Sequence, residues 1–305
     1  METKDFEGLG LNLSMMDVGW DRVVNGKTNT SQMQLALATE ADRQYHPNAE
    51  AFPAEDTPRG RLAQHFDWPG ARVYPGTTRS LWIWTPAGFD PKGPAPSLMV
   101  FQDGNFYVDP KGAVRAPAVF DTLTARGEMG PTIGVFVDPG KTTDSFQQRS
   151  REYDSVTEAY GRFLVEDVLP FVENEIGCQV TDDPARRTIC GISSGGICAF
   201  TAAWFRPTSF GRVLSHCGSY VNLRGGHYFP YLVRSTEPKP IRVWLQSGAK
   251  DADLLFGNWP MANKEMAAAL EFAGYDMKFV FGEGGHSLRH GGAVFADALR
   301  WLWRE

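Results

Sequence analysis

The sequence predicts an α/β protein built on a mainly parallel, doubly wound sheet with helices on both faces. Two observations carry this expectation. From Ala71 onward, short apolar runs rich in β-formers alternate with longer runs at helical spacing. Within residues 187–204 one of each is joined directly: 188–192 reads as a strand, 197–204 as a buried helix, and Gly191-Ile-Ser-Ser-Gly-Gly196 turns between them.

Residues 1–70 show no sustained periodicity. They read as an irregular but ordered extension laid over the main domain, with a short helix over 31–41 and breaks at Pro47, Pro53, Pro58 and Gly60. His46 and His65 lie in this extension as surface or packing residues. The main domain spans 71–305. Strands are predicted over 80–85, 97–102 and 131–137, with a helix over 118–125 between the last two. Apolar residues from Phe163 to Val172 recur at helical spacing, so 160–176 reads as a helix kinked by Pro170. Beyond the turn at Ser193 the expected order is a strand over 212–215, a strand over 241–246, a helix over 258–273, a strand over 277–281 and a helix over 293–303. In such a sheet the chemistry belongs to the loops at the carboxyl ends of the strands.

Composition excludes several functions. With 30 basic against 36 acidic residues, the net charge of −6 and the absence of a basic stripe argue against nucleic-acid or anionic-membrane binding. No apolar run approaches bilayer length, and the first residues lack the basic-then-apolar order of a secretory signal, so the expected location is cytoplasmic. Oligomeric state is left open, a homo-oligomer included. Cys178, Cys190, Cys198 and Cys217 match no metal-binding spacing and read as free, buried thiols. The 20 Phe, 9 Trp and 9 Tyr promise a substantial core.

The pattern G-x-S-x-G, placed between a strand and a helix, lifts the hydroxyl of Ser193 above the sheet edge at a helix N-terminus. A serine hydroxyl needs a base to act as nucleophile. The α/β-hydrolase order of serine, acid, histidine directs the search down the chain. His286, in Phe281-Gly-Glu-Gly-Gly-His286, follows the last strand and is the candidate base, with His290 its nearest rival. Glycines 282, 284 and 285 would let that loop reach over the sheet. Asp251 and Asp253 both follow the preceding strand, and Asp251 stands at the better distance from its end. A tetrahedral intermediate also asks for two backbone donors. These are assigned to the amides of Ser194 and of Asn105, in the loop opened by Asp103-Gly-Asn105.

Taken together, these residues resemble the esterase-D-type branch of the α/β hydrolases, in particular the enterochelin esterases and the feruloyl or acetyl-xylan esterases of carbohydrate esterase family 1. The resemblance rests on Tyr74-Pro-Gly-Thr-Thr-Arg-Ser-Leu-Trp-Ile-Trp-Thr-Pro86, Val100-Phe-Gln-Asp-Gly104, Arg149-Ser-Arg-Glu-Tyr153, Phe163-Leu-Val-Glu-Asp-Val-Leu-Pro170, Gly191-Ile-Ser-Ser-Gly-Gly196 and Gly284-Gly-His286. It implies the α/β-hydrolase fold and a serine esterase without metal or organic cofactor. The chain departs from the pattern in two respects. Its extension does not resemble the β-rich domain of the larger enterochelin esterases, and no cluster of basic residues suited to a ferric siderophore stands out.

The expectation is therefore a carboxylic-ester hydrolase working through an acyl-enzyme on an aromatic, sugar-linked or siderophore-like ester, with a small molecule as partner. Acyl transfer to an alcohol and a non-catalytic, ligand-binding member of the fold are the alternatives. Aromatic and polar residues in the edge loops, Tyr107, Tyr220 and Trp259, are candidate substrate contacts, as is Arg149, whose guanidinium suits an anionic group.

Overall fold

The computed structural model describes residues 22–70, 72–142 and 145–304; the first part of the expected extension, residues 1–21, lies outside them. In chain order the elements are α1 (Asn29–Leu37), β1 (Arg61–Trp68), β2 (Arg79–Thr85), β3 (Ser97–Gln102), α2 (Gly104–Val108), α3 (Ala116–Ala125), β4 (Thr132–Val137), α4 (Ser145–Tyr153), α5 (Ala159–Phe163), α6 (Leu169–Ile176), β5 (Arg187–Ile192) and α7 (Ser194–Phe205). There follow β6 (Arg212–His216), α8 (Phe229–Ser235), β7 (Arg242–Gly248), the short hairpin β8 (Asp253–Leu254) and β9 (Gly257–Asn258), α9 (Trp259–Phe272), β10 (Met277–Gly282), α10 (Leu288–Ala293) and α11 (Phe295–Trp303).

Eight strands form one sheet in the order β1-β2-β4-β3-β5-β6-β7-β10, and the six from β4 to β10 are parallel. Strands β2 to β6 are buried along almost their whole length, as expected of apolar runs covered on both faces. One core lies where α5, α6, α7 and α9 cover the sheet, and a second where α3 and α11 cover its other face. The chain leaves β3 toward β4 on one side, then returns to place β5 on the other side of β3. The carboxyl ends of β3 and β5 therefore flank a topological switch point, where an open α/β sheet forms its natural crevice.

The extension corrects the sequence reading. Residues 61–68 are not irregular: β1 pairs antiparallel with β2 and forms one edge of the sheet. Its side chains give no clean inward and outward alternation, and a register shift falls between His65 and Trp68. The strand is held by its backbone ladder, which leaves little pattern in the sequence. The helix expected over 31–41 starts and stops earlier, because Thr28 and Ser31 form a reciprocal cap that sets its first turn.

The kink near Pro170 takes the form of a π turn over residues 164–168 between α5 and α6. Proline lacks an amide, and its ring displaces the carbonyl four residues back. That carbonyl belongs to Glu166, and the Arg72 guanidinium donates to it. The polar helix α4, absent from the sequence reading, is fastened by a buried ion pair. Arg79 on β2 donates to Glu152 at 2.7 and 3.1 Å, and both side chains are completely buried. Glu152 also accepts the Gly140 amide and, at 2.8 Å, the Gln148 side-chain amide.

Removing Glu152 would strand the buried guanidinium of Arg79. Glu152→Ala is expected to cost about 3–5 kcal/mol in urea unfolding, and Arg79→Met combined with Glu152→Leu less than that single change.

Candidate active site

Ser193 sits between β5 and α7 with φ 60° and ψ −121°, backbone angles that L-residues seldom adopt. The neighbouring glycines make the turn possible by close approach. A Cβ on Gly191 would lie 2.3 Å from the Gly195 carbonyl oxygen, and one on Gly196 would lie 2.8 Å from Ser215 Oγ. The turn presents Ser193 Oγ 2.8 Å from His286 Nε2, and His286 Nδ1 lies 2.5 Å from Asp251 Oδ1. A proton on Nδ1 facing the carboxylate leaves Nε2 to accept the serine hydroxyl. Asp251 is buried, and its two oxygens also accept the Ser247 hydroxyl at 2.8 Å and the Ala252 amide at 2.7 Å. Asp253 is exposed in the β8–β9 hairpin and takes no part in this chain of bonds.

The rival histidine serves elsewhere. His290 stacks on Tyr45 and pairs through Nδ1 with Gln246. Burial pushes its pKa down, against the raising influence of Asp42. His216 is completely buried below the site, and burial, with His290 beside it, holds its pKa down to about 3.

The remaining expected site residues divide. Ser194 opens α7, so its amide is among those without an intrahelical acceptor. The Asn105 amide, expected to be free for an oxyanion, is instead taken by Asp138, whose Oδ1 accepts it at 3.0 Å. Burial pushes the Asp138 carboxyl up to about 6. Tyr107 and Tyr220 do not face the crevice. Tyr107 is wholly buried with its hydroxyl on His216 Nδ1, and Tyr220 is buried with its hydroxyl donating to Ser215 Oγ. On α2 and after β6 respectively, both rings point inward to the cores, which loop composition did not disclose. Trp259 is a buried wall of the site, set edge-on to the His286 ring, and its Nε1 donates to Ser219 Oγ at 3.2 Å. Ser219, which sequence reasoning missed, lies 3.3 Å from Ser193 Oγ. Nothing in its local sequence marks it.

Arg149 does line the site, but its charge is matched. It makes a two-pronged pair with Asp103 at 2.9 and 2.6 Å. Burial acts to lower its pKa, yet the Asp103 carboxylate raises it well above the ordinary range, so the cation is secure. Tyr153 holds the same loop, its hydroxyl accepting the Asp103 amide.

Two cavities meet at Ser193. One, of about 250 Å³, has apolar walls that include Leu223, Leu254, Phe256 and Trp259, with Ser150 and Asp154 also lining it. The other, of about 450 Å³, opens past His286, Ile192, Leu288 and Phe106. Met33 lines both and Leu37 the larger one, so α1 of the extension helps to form the walls. Among the described residues, Cys217, Asp251 and His286 are the one group of potential metal ligands that converge. Two of these are the acid and the imidazole already paired. Burial raises the pKa of the Cys217 thiol. No helix among the described residues is long and apolar enough to cross a membrane.

The sheet order, the switch-point crevice and the serine elbow define an α/β-hydrolase fold. The model of the Esterase family matches residues 74–302, and the chain belongs to that family. Its relatives include the iron(III) enterobactin esterase of Dickeya dadantii, 27% identical over 280 residues that cover 84% of this chain and 59% of the relative. The Escherichia coli K12 enzyme of the same name is 26% identical over 70% of this chain and 52% of its own length. The chain thus spans a little over half the length of these curated relatives. Among solved structures, the enterobactin esterase of Shigella flexneri in the presence of 2,3-di-hydroxy-N-benzoyl-glycine superposes with a TM-score of 0.65 at 23% identity, over 85% of this chain and 62% of that one. A ferulic acid esterase superposes with a TM-score of 0.61 at 17% identity, over 81% of this chain and 99% of that one.

The geometry ranks the two carboxylates. Asp251→Asn is expected to lower kcat by on the order of 10⁴-fold, as loss of the imidazole's orienting acid does elsewhere. Asp253→Asn should leave steady-state ester kinetics within about threefold of the parent, as an exposed change away from the reacting groups does.

Proposed function

We propose that this chain hydrolyses carboxylic esters through an acyl-enzyme on Ser193. The observation that carries the reading is the continuous hydrogen-bonded run from Ser193 Oγ through His286 to Asp251. Family membership supports it, as do the names of the relatives.

In this mechanism the Ser193 hydroxyl passes its proton to His286 Nε2 as Oγ attacks the ester carbonyl. Asp251 keeps the imidazole in the required tautomer and stabilises the imidazolium. The oxyanion is met by the Ser194 amide at the positive end of α7. For Asn105 to supply the second donor, its amide must exchange the Asp138 carboxylate for the oxyanion. Collapse of the intermediate sends the proton from Nε2 to the leaving alcohol. Water then repeats the sequence on the acyl-enzyme, with His286 as base, and releases the acid and free Ser193.

Because His286 protonates the leaving oxygen, the alcohol belongs to the larger cavity, which His286 lines, and the acyl group to the smaller one. The smaller cavity suits a compact aromatic acyl group between Phe256 and Trp259, with Asp154 and Ser150 close enough to recognise polar substituents. An aromatic acyl group also agrees with the name of the ferulic acid esterase among the structural relatives. A sugar-linked or siderophore-like alcohol would occupy the larger, open side.

Ser193→Ala is expected to fold normally, to lose turnover by on the order of a millionfold and to resist a fluorophosphonate probe that labels the parent. Burst kinetics surviving in this variant would end the serine mechanism. His286→Ala should be comparably inactive, while His290→Ala keeps substantial activity.

The acyl assignment is tested at Phe256. Phe256→Ala should raise KM for an aryl-acyl ester at least about tenfold more than for the acetyl ester of the same alcohol. Equal effects on both substrates would move the acyl group out of this cavity.

A further inference from the structure

The loop that carries His286 is gripped by residues far earlier in the chain. Asp42 lies in the 3₁₀ turn Glu40–Gln44 and is only 4% exposed. Its Oδ1 accepts the Gly285 amide at 2.9 Å, and its Oδ2 accepts the Ser287 hydroxyl at 2.7 Å. A single carboxylate thus holds the residues immediately before and after His286. The His286 amide itself donates to the Ala36 carbonyl at 3.0 Å, and the Glu283 amide donates to the Tyr45 hydroxyl at 3.0 Å.

The glycines of this loop point the same way. Gly282, Gly284 and Gly285 have no left-handed backbone angle that would require glycine. What they lack is room. A Cβ on Gly285 would fall 2.1 Å from the Ala36 carbonyl oxygen, one on Gly284 2.7 Å from Asp42 Oδ1, and one on Gly282 2.3 Å from the Tyr45 hydroxyl. The loop is glycine-rich so that residues 36–45 can approach its backbone. Simple covering of the loop would need only apolar contact. A buried carboxylate is costly unless its hydrogen bonds are specific, and here they fall on either side of one imidazole.

We propose that Asp42 is a positioning residue for His286, holding the imidazole within reach of Ser193, and that the segment around it is an integral part of the active site. This rests on the reading of His286 as the base. A base must be held to within about half an ångström of its working position, and a displacement of about 1 Å can cost on the order of 10²-fold in rate.

The test compares Asp42→Ala, Asp42→Asn and Gly285→Ala in the full chain, with thermal unfolding recorded for each and p-nitrophenyl acetate as the ester. Asp42→Ala should lower kcat by on the order of 10²-fold with KM within about twofold. Asparagine can still accept the Gly285 amide and can donate to Ser287 Oγ, so Asp42→Asn should restore kcat to within about tenfold of the parent. Gly285→Ala, whose methyl group displaces the Ala36 carbonyl, should reproduce the kcat loss. Combined with Asp42→Ala it should be no worse than the more damaging single change, because both break the same grip. The proposal is overturned if folded Asp42→Ala keeps the parental kcat, if the loss falls on KM, or if Asp42→Asn is as damaging as Asp42→Ala. Should Asp42→Ala fail to fold, an unchanged kcat in Gly285→Ala overturns it instead. His286→Ala, run in parallel, separates this proposal from the reading beneath it. An active His286→Ala removes the base assignment, whereas an inactive one beside a fully active Asp42→Ala removes only the positioning role.

Discussion

Ser193 stands at φ 60° and ψ −121°, and the architecture around it is arranged to hold a side chain at those angles. Such a turn costs on the order of 1–3 kcal/mol unless its surroundings leave the chain no alternative. The surroundings here hold the turn through its backbone. The Ser193 amide donates to the His216 carbonyl on the next strand, and the Ser193 carbonyl accepts from Gly196, Ile197 and Ser219. Gly195 meets the end of β3 so closely that a Cβ would touch Gln102 and Asp103. The parallel register of β3, β5 and β6 is therefore what places the hydroxyl at the switch point.

Charge beneath the crevice is organised through α4. Glu152 neutralises Arg79, and Arg149 neutralises Asp103, so one short helix supplies an anion to one buried cation and a cation to one buried anion. Tyr153 from the same helix fixes the Asp103 amide. Asp154, at its end, is buried, which raises its carboxyl pKa, and Ser150 donates to it at 2.8 Å. These interactions pin the loop after β3 against the elbow.

Legibility in the sequence followed the range of the interactions. The elbow was readable because its strand, serine, glycines and helix lie within 18 consecutive residues, 187–204. Asp251 and His286 could be singled out because each follows an apolar strand, and parallel strands deliver such loops to the same edge. The engagement of the Asn105 amide was not readable, because its acceptor lies 33 residues away on the loop after β4. Tyr107 and Tyr220 resemble cleft aromatics by composition, yet the turn of the chain directs them into the cores. Neither β1 nor α4 has a clear apolar period; one is held by a backbone ladder and the other by buried charges, which a hydropathy pattern does not record.

The contact between Asp42 and Gly285 spans 243 residues of sequence. The elbow's own residues are neighbours in sequence, whereas this contact closes a loop that includes the whole eight-stranded sheet. Loop-closure entropy grows slowly with length, but contacts between distant residues form late because much of the chain must already be ordered. On the positioning role proposed for Asp42, a competent site therefore requires this long-range contact in addition to the sheet and its serine. On the same proposal, the geometry of the loop after the last strand depends on a segment that precedes the first strand.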